Sequence, residues 1–345
     1  MNDSIYGLNL NDINHKQQSK KKKIILDYLS TIEKDEALFD LAYKKRIEQT
    51  KNYVYIRCII DISNKCKCRC TFCGNSALSS NLKRYSLNKQ EILSSIKYAK
   101  SLGIDMIHLA SGEYDDIDYE MIIDIVSQIK TNEMYCELAI GIIPDNYLKK
   151  LKNVGLDRII IKFETSNKKI FENYKKCDRN LETIIDYISK IKKMGFLVGT
   201  GNIVGFNGQT VEDLANDLLL VDKLHVDMSS TSCLTPNSDL NLTSEKGDEY
   251  LTLKYLSLMR IVLEKSNLCI PTNSTLGRDG KIAALRFGAN EISLNITPYT
   301  QQNKYSIYGG TKRFKANYQQ TIEIINKSKM KLKTYKEMRD MGMVP

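Results

Sequence analysis

Eight short runs rich in β-branched residues alternate with longer amphipathic stretches between residues 54 and 297 of this chain. Such alternation is typical of βα units, in which a helix returns the chain to the next parallel strand. Eight units of this kind close into a barrel, so we predict an α/β protein built on a (βα)8 TIM-type barrel. The predicted strands are Val54–Ser63, Met106–Ser111, Cys136–Ile142, Arg158–Glu164, Phe196–Gly205, Val226–Leu234, Leu268–Ser274 and Glu291–Thr297.

Helical patterns fill the space between the strands and continue beyond both ends of the barrel. Asn88–Leu102 and Val211–Leu224 repeat apolar residues at helical spacing. Two further helices within Lys21–Gln49 are expected to cap the bottom of the barrel. We therefore expect one domain with two appendages. The predicted boundaries are 1–50 for an N-terminal helical extension, 51–310 for the barrel and 311–345 for a C-terminal helical tail.

Composition narrows the class of protein without identifying it. Apolar residues make up 42% and charged residues 27% of the 345 residues, which is ordinary globular usage. We expect a cytoplasmic protein without membrane association, because the chain lacks both a long apolar span and the apolar core of a signal peptide. The net charge of +10 is spread along the chain, with Lys20–Lys23 as the one compact block, so we expect no nucleic-acid partner.

Nine cysteines are the most informative residues of the chain. The cytosol keeps thiols reduced, so metal ligands, catalytic groups or small buried side chains are expected rather than disulfides. Cys66, Cys70 and Cys73 follow the first predicted strand, where the first βα loop opens at the catalytic mouth of a barrel. Their C-x3-C-x2-C spacing allows three thiolates to hold one [4Fe–4S] cluster and leaves its fourth iron open.

The other cysteines fit the cluster spacing less well. Cys68 lies inside the loop but outside the spacing, and we assign it no ligand role. A zinc site is the competing hypothesis, but structural zinc usually takes two separated pairs of ligands and no second pair follows. Small buried apolar side chains are expected for Cys58, Cys136, Cys177, Cys233 and Cys269.

The spacing, with Phe72 just before the last cysteine, resembles the motif of the radical S-adenosylmethionine (SAM) superfamily. In that family, SAM chelates the open iron, and one electron from the cluster splits SAM to give a 5′-deoxyadenosyl radical. The resemblance implies a [4Fe–4S] cluster on Cys66, Cys70 and Cys73, SAM as second cofactor, and an electron donor such as flavodoxin or ferredoxin. No catalytic side chain is assigned, because the cofactor carries the chemistry.

Three further strand ends carry short motifs that are similar to those of the same family. They read Ser-Gly-Glu after the second strand, Phe-Glu-Thr after the fourth and Gly-Phe-Asn-Gly-Gln-Thr after the fifth. Each alone is also explained as a turn or a helix cap, and Thr210 with Asp213 forms a capping-box pattern. Cofactor contacts implied by the resemblance are Phe72, Ser111, Gly112, Glu113, Glu164, Asn202 and Gly205.

Longer segments narrow the resemblance to one clade. Arg84–Ile92, Val204–Leu218 and Ile296–Gly310 resemble the E-type maturase of [FeFe]-hydrogenase, whereas the closing Glu337–Pro345 resembles methylornithine synthase; biotin synthase is related to both. The maturase resemblance implies a small amino-acid-like substrate. The substrate contacts it implies are Asn273, Ser274, Asn295, Thr297, Tyr305 and Tyr308, although turn chemistry explains each of them equally well.

One departure from the family concerns the carboxylate of SAM. The family normally places an arginine near the helix start at Leu181–Ile184, where this chain has Leu-Glu-Thr-Ile. A nearby cation would have to replace it, and a lysine lacks the bidentate fork of arginine. The candidates are Lys162, Lys175, Lys176 and Arg179.

Three functions stay open at this stage. The first is a maturase-like radical enzyme that works with other maturation proteins. The second is a methylornithine synthase-like mutase, which would rearrange the carbon skeleton of a diamino acid. The third is a non-catalytic iron–sulfur or zinc scaffold, which the strand-end motifs disfavour because delivery of metal would not require them.

Overall fold

The structure, a computed structural model, describes residues 18–237, 240, 245–263, 265–273, 275–305, 307 and 315–345. Residues 1–17 of the predicted N-terminal extension therefore lie outside the described residues. The strands are β1 (Tyr53–Ser63), β2 (Met106–Ser111), β3 (Tyr135–Ala139), β4 (Arg158–Ile160), β5 (Leu197–Val204), β6 (Met228–Cys233), β7 (Glu291–Asn295) and β8 (Lys331–Leu332).

Helices occupy most of the connections between these strands. They are α1 (Gln18–Ser30), α2 (Asp35–Thr50), α3 (Lys89–Ser101), α4 (Tyr119–Thr131), α5 (Asp145–Asn153), α6 (Lys168–Tyr174), α7 (Leu181–Lys193), α8 (Val211–Leu224), α9 (Glu249–Val262), α10 (Arg278–Phe287), α11 (Tyr299–Gln302), α12 (Tyr318–Lys327) and α13 (Tyr335–Asp340). Within the described residues, no helix combines the length and apolar character that a bilayer crossing requires.

Parallel pairing confirms the predicted fold class. Neighbouring strands pair in the order β6-β5-β4-β3-β2-β1-β7, which is a curled sheet of the TIM type. The predicted strand Leu268–Ser274 is not a regular strand: Cys269 bridges to Met228 of β6, and Pro271 bridges to Glu291 of β7. Pro271 has no N–H to donate, so a continuous ladder cannot form here. Single bridges thus join the two edge strands of the sheet.

Local sequence explains where the crossover helices begin. Asn88 and Glu91 form a capping box at the start of α3, which then buries Ile92 and Ile96 against the sheet. Thr210 and Asp213 form the same box at the start of α8, so the capping explanation for that motif is correct. Each cap satisfies amide donors that the first helical turn leaves without partners.

Helix α2 and the C-terminal tail contact the bottom of the barrel, away from the carboxyl ends of the strands. Arg46 of α2 is buried and donates to the carbonyl oxygens of Ala289 (3.1 Å) and Tyr53 (2.9 Å), beside the starts of β7 and β1. In the tail, Tyr335 stacks edge-on against Tyr55. The tail was predicted as helical, but it also supplies β8, whose backbone pairs with the start of β1. The opposite, carboxyl-terminal mouth is left for the site.

Candidate active site

The cysteine loop after β1 is fixed against the end of β2. The amide of Lys67 donates to the carbonyl of Glu113 (2.6 Å), and the amide of Gly112 donates to that of Ser63 (3.4 Å). A Cβ at Gly112 would overlap the carbonyl of Lys65, so only glycine permits this close approach. The Ser-Gly-Glu motif therefore has a direct structural function: it seats the cysteine loop.

Arg84 braces the same loop from its far end. Its guanidinium donates to the carbonyl oxygens of Asn64 (2.7 Å), Asn75 (2.6 Å) and Ser76 (2.6 Å). An arginine can satisfy several carbonyls at once because its five N–H donors are held in a rigid plane. The sequence indicates Arg84 only as part of a segment that resembles the maturase, and it does not predict these contacts with the cysteine loop.

The three motif cysteines are free thiols in an apolar setting formed with Phe72 and Phe206, whose rings meet edge to face at 5.6 Å. Burial raises the pKa of the Cys66 and Cys70 thiols, and it raises the pKa of Cys73 to about 12. A bound metal deprotonates coordinating thiols. Three clustered sulfur donors in a dry apolar setting therefore fit an iron–sulfur cluster, and the residues present are consistent with the predicted ligands.

Two cysteines depart from the predictions. Cys68 and Cys177 form a disulfide, whereas no disulfide was expected and Cys177 was expected to be a buried apolar side chain. Cys177 instead lies between α6 and α7, is partly exposed, and places its sulfur 3.6 Å from that of Cys70. The other four scattered cysteines are buried as expected: Cys58, Cys136, Cys233 and Cys269.

A cavity of about 310 Å³ extends from the cysteine loop into the barrel. Of the predicted cofactor contacts, five line this chamber: Phe72, Ser111, Gly112, Glu113 and Glu164. Asn202 and Gly205 are absent from the lining that the described residues form. Asn202 instead donates to Asp217 (3.0 Å), and the Gly205 amide donates to Gln209 (2.7 Å), so both shape the end of β5 behind the chamber wall. All seven roles stay predictions.

The four candidate cations that could replace the missing arginine fall into three groups according to their partners. Arg179 forms an ion pair with Glu113, while Lys162 (3.1 Å) and Lys175 (3.3 Å) both pair with Glu164. Although burial opposes it, the two ammonium groups hold the pKa of Glu164 below its usual range. The exposed Lys176 donates to a backbone carbonyl of α6 and does not line the chamber.

Gly141 at the end of β3 completes the wall beside Glu113. Its φ is +86°, in the left-handed region that favours glycine, and a Cβ there would overlap the Glu113 side chain. Sequence reasoning missed Gly141. A glycine inside a predicted strand, as Gly141 is, could have indicated a close approach of this kind.

A buried charge network forms the floor of the chamber. Glu137 accepts hydrogen bonds from Arg57 Nη1 (2.8 Å), Arg158 Nε (2.6 Å) and His108 Nδ1 (2.6 Å). Arg57 Nε also lies 2.9 Å from Glu291 Oε1. Although burial opposes ionisation, the two guanidinium groups hold the pKa of Glu137 well below its usual range. Because a carboxylate only accepts, Nδ1 of the imidazole carries a proton.

His108 and Arg57 also line the chamber, and neither was predicted. The signal was present, because alternate residues of a strand face the same side. Counting in twos along β1 places Arg57 with Ile59 and Asp61, and all three line the chamber. The same rule applied to β2 relates His108 to Ala110.

The predicted substrate contacts do not all line the same cavity. Asn273 and Tyr305 line the chamber. Asn295 and Thr297 line a second pocket and bond to Asp61 of β1, through its carboxylate (2.7 Å) and its amide (2.8 Å). Ser274 and Tyr308 lie outside the described residues. A substrate role for any of the six residues stays a prediction.

Three buried polar atoms of the chamber wall have no hydrogen-bond partner among the described residues. They are Thr231 Oγ1, Thr272 Oγ1 and Asn273 Nδ2. An unsatisfied buried polar atom costs about 1 to 3 kcal/mol, so a ligand or a water molecule would supply the missing bonds here. Of these three residues, sequence reasoning identified Asn273 only.

Comparisons with known proteins agree with this geometry. The model of the Radical SAM superfamily matches residues 60–221. The [FeFe] hydrogenase maturase subunit HydE of Thermotoga maritima is 36% identical over 280 residues, which cover 80% of each chain. The 3-methylornithine synthase of Methanosarcina acetivorans is 26% identical over 272 residues, covering 77% of this chain and 76% of that protein.

Among solved structures, the crystal structure of methylornithine synthase (PylB) has the same fold. It superposes with a TM-score of 0.84 at 23% identity and covers 97% of this chain and 100% of its own. The matched residues include the cysteine loop, and the superposition on PylB agrees with the curled parallel sheet. The chain therefore belongs to the radical SAM superfamily, whose enzymes use a [4Fe–4S] cluster and S-adenosylmethionine.

Proposed function

We propose that this radical SAM enzyme reductively cleaves SAM and directs the radical at a small amino-acid-like molecule in the barrel chamber, in a maturase-like reaction. The observation that carries the proposal is one continuous space. The thiols of Cys66, Cys70 and Cys73 line the same chamber as His108 and Asn273, so the predicted cluster site and the polar inner wall are not separated. When bound, the cluster and SAM would supply a 5′-deoxyadenosyl radical.

The residues at the mouth would bind and orient SAM. The loop backbone at Gly112 and the Glu113 carboxylate would accept hydrogen bonds from its amino group. Lys162 and Lys175 line the chamber, and Arg179 reaches its wall through the ion pair with Glu113. We propose Arg179 and Lys175 as the cations that replace the missing arginine. Both already pair with carboxylates, so SAM would have to share Arg179 with Glu113 or Lys175 with Glu164.

The inner wall would bind the substrate. Thr231, Thr272 and Asn273 offer buried polar atoms without partners among the described residues, which suits a small molecule with several hydrogen-bonding groups. On the floor, Glu137 holds the proton on Nδ1 of His108, so a neutral ring would present Nε2 as an acceptor. A substrate amine would satisfy that acceptor.

The higher identity to HydE supports the maturase-like reaction over the mutase reaction. The close match to the PylB structure supports only the fold, because the identity of that pair is low. An electron donor such as flavodoxin or ferredoxin, and other maturation proteins, are the partners that this proposal requires. Adding diamino acids and analysing the products for a rearranged carbon skeleton would distinguish the mutase reaction.

The decisive experiment is anaerobic turnover. The full chain is reconstituted with iron and sulfide, reduced, mixed with SAM and analysed for 5′-deoxyadenosine. We expect product from the wild type and from Cys136→Ala, a matched control because Cys136 is buried in β3 on the helix-facing side. Cys70→Ser should give none. Wild-type protein that holds about four irons per chain yet forms no 5′-deoxyadenosine would refute the proposal.

A further inference from the structure

A second pair of cysteines lies directly beside the predicted cluster ligands. The segment from Tyr174 to Cys177 runs along the cysteine loop, because Thr71 donates to the carbonyl of Tyr174 (3.0 Å) and Arg69 donates to that of Lys176 (2.8 Å). These backbone bonds fix Cys177 next to the loop. The proximity of its sulfur to the loop cysteines therefore does not depend on side-chain rotation alone.

Cys177 contacts two loop sulfurs that have different expected roles. It forms a disulfide with Cys68, whose Cα lies 4.8 Å away, and its sulfur is 3.6 Å from the sulfur of Cys70. Cys68 has no place in the cluster spacing, whereas Cys70 is a predicted cluster ligand. A single partly exposed thiol thus stands between a spare cysteine and a ligand cysteine.

We propose that Cys177 is a redox-active thiol that closes a disulfide with Cys68 in the cluster-free protein and exchanges it onto Cys70. The exchanged disulfide withholds a cluster ligand until a dithiol reduces it. This site lies beyond the SAM chemistry proposed above, and it rests only on Cys70 being a cluster ligand.

The chemistry balances in two steps. A low-molecular-weight disulfide such as oxidised glutathione takes two electrons from the Cys68 and Cys177 thiols, which become a disulfide while two glutathione thiols are released. The Cys70 thiolate then attacks the Cys177 sulfur. The Cys68–Cys177 bond breaks, a Cys70–Cys177 bond forms, and Cys68 leaves as a thiolate, so this second step needs no oxidant.

The surroundings of Cys68 favour its departure. Arg179 Nη2 lies 3.9 Å from the Cys68 sulfur, where a guanidinium stabilises the departing thiolate. A small pocket of about 60 Å³, lined by Cys68, Cys177 and Arg179 among others, adjoins the disulfide. Once iron binds Cys70, that sulfur is no longer available to attack, so cluster assembly and exchange exclude each other.

The test uses the full chain without cluster. Anaerobically purified protein is incubated with oxidised glutathione, freed of it, blocked with iodoacetamide and digested, and the disulfide-linked peptides are identified by mass spectrometry. We expect both Cys68–Cys177 and Cys70–Cys177 linkages in the wild type. Cys68→Ser should show only the second linkage, and Cys177→Ser neither.

A parallel sample, not blocked, is offered iron and sulfide without any reducing thiol. We expect the oxidised wild type to load no cluster in the fraction that carries the Cys70–Cys177 linkage until dithiothreitol is added, and then to reach about four irons per chain. Oxidised Cys177→Ser should bind the cluster without dithiothreitol. Cys136→Ala that has not been oxidised should also bind it without dithiothreitol. Iron content and the visible absorption of the cluster are the readouts, so SAM cleavage is not needed.

Three results would overturn the proposal. One is a wild-type peptide map without either Cys177 linkage. Another is Cys177→Ser protein that, after oxidation, stays as unable to load iron as the oxidised wild type. The third is failure of reduced Cys177→Ser to load iron, because a switch thiol must be dispensable for the cluster itself.

Discussion

The floor and the mouth of the chamber use buried charge in opposite ways. At the floor, Arg57 and Arg158 face Glu137 and Glu291, and each carboxylate is shared within a closed network. At the mouth, Glu113 and Glu164 pair with cations that a bound cofactor would also attract. We infer that the charges of the floor are paired among themselves without a ligand, whereas a ligand at the mouth would replace part of the ion pairs there.

The largest expected effect is a loss of stability, and it tests whether the charge network of the floor stabilises the fold. Glu137→Gln removes a fully buried carboxylate and leaves the guanidinium groups of Arg57 and Arg158 with Glu291 as their one remaining carboxylate in the floor network. Breaking one partner of a buried ion pair costs about 3 to 5 kcal/mol, so the free energy of unfolding should fall by that amount. Urea denaturation monitored by circular dichroism measures it.

The control for this variant is a carboxylate of the surface. Glu120→Gln breaks an exposed pair with Lys150, and its unfolding free energy should barely change, because solvent screens such pairs. Equal losses in the two variants would mean that the floor network does not differ from a surface ion pair.

The mouth should respond in binding rather than in stability. Glu113→Gln removes the charge that would receive the ammonium of SAM, and hydrogen bonds to charged groups are worth about 1.5 to 3 kcal/mol. We therefore expect SAM affinity to fall by about tenfold to a hundredfold. Equilibrium dialysis with the cluster-loaded protein under anaerobic conditions measures it.

Asp115→Asn is the matched control, because Asp115 lies two residues further along the same loop and is exposed. Its SAM affinity should equal that of the wild type. A Glu113→Gln protein that binds SAM normally but is strongly destabilised would reverse the contrast between mouth and floor.

Asp217, a carboxylate behind the mouth, should make the free energy of unfolding depend on pH. Asp217 accepts hydrogen bonds from Ser166 and from Asn202, and burial raises its pKa from 3.8 to about 7. A raised folded-state pKa stabilises the protein below the unfolded pKa, and this contribution is lost as pH rises through 7. Between pH 5 and 8 the wild type should lose about 2 kcal/mol relative to Asp217→Asn.

The measurement is the free energy of unfolding of both proteins at several pH values in that range. Subtracting one free energy of unfolding from the other at each pH removes the contribution of the carboxylates that the two proteins share. Parallel pH profiles would show that the neutral donors around Asp217 fully offset its burial, as the cations do for Glu137.

Local patterns predicted the parts of the site that depend on neighbouring residues. The order of the strands, the cap at Thr210 and the place of the cysteine loop after β1 follow from spacing within a few residues. The exception is strand Leu268–Ser274, where Pro271 removes a donor and leaves bridges only. Even there the bridges keep the segment in the position that the prediction required.

Contacts between distant residues could not be predicted in this way. Cys177 lies 109 residues from Cys68, and the sequence around it contains no motif that indicates a partner. His108 reaches Glu137 across 29 residues, through the parallel register of β2 with β3. Strand register determines such pairs, and periodicity within one strand shows only which residues face inward.

The smallest expected effect concerns backbone strain at Glu164. Its φ is +65°, a left-handed conformation that disfavours any residue with a Cβ. Hydrogen bonds to Gly201 (3.1 Å) and from Ile203 (2.8 Å) hold the backbone there. Strain of this kind persists where function requires it, so we expect the mouth, unlike the floor, to store conformational energy in order to aim this carboxylate.

The pair Glu164→Ala and Glu164→Gly isolates that energy, because both remove the carboxylate and only the glycine relieves the backbone. Glu164→Gly should be more stable than Glu164→Ala by about 1 kcal/mol in urea denaturation. The same pair at the exposed Glu182 of α7 should show the opposite order, because glycine weakens a helix. If alanine is the more stable residue at both positions, Glu164 carries no strain, and only its ion pairs distinguish the mouth from the floor.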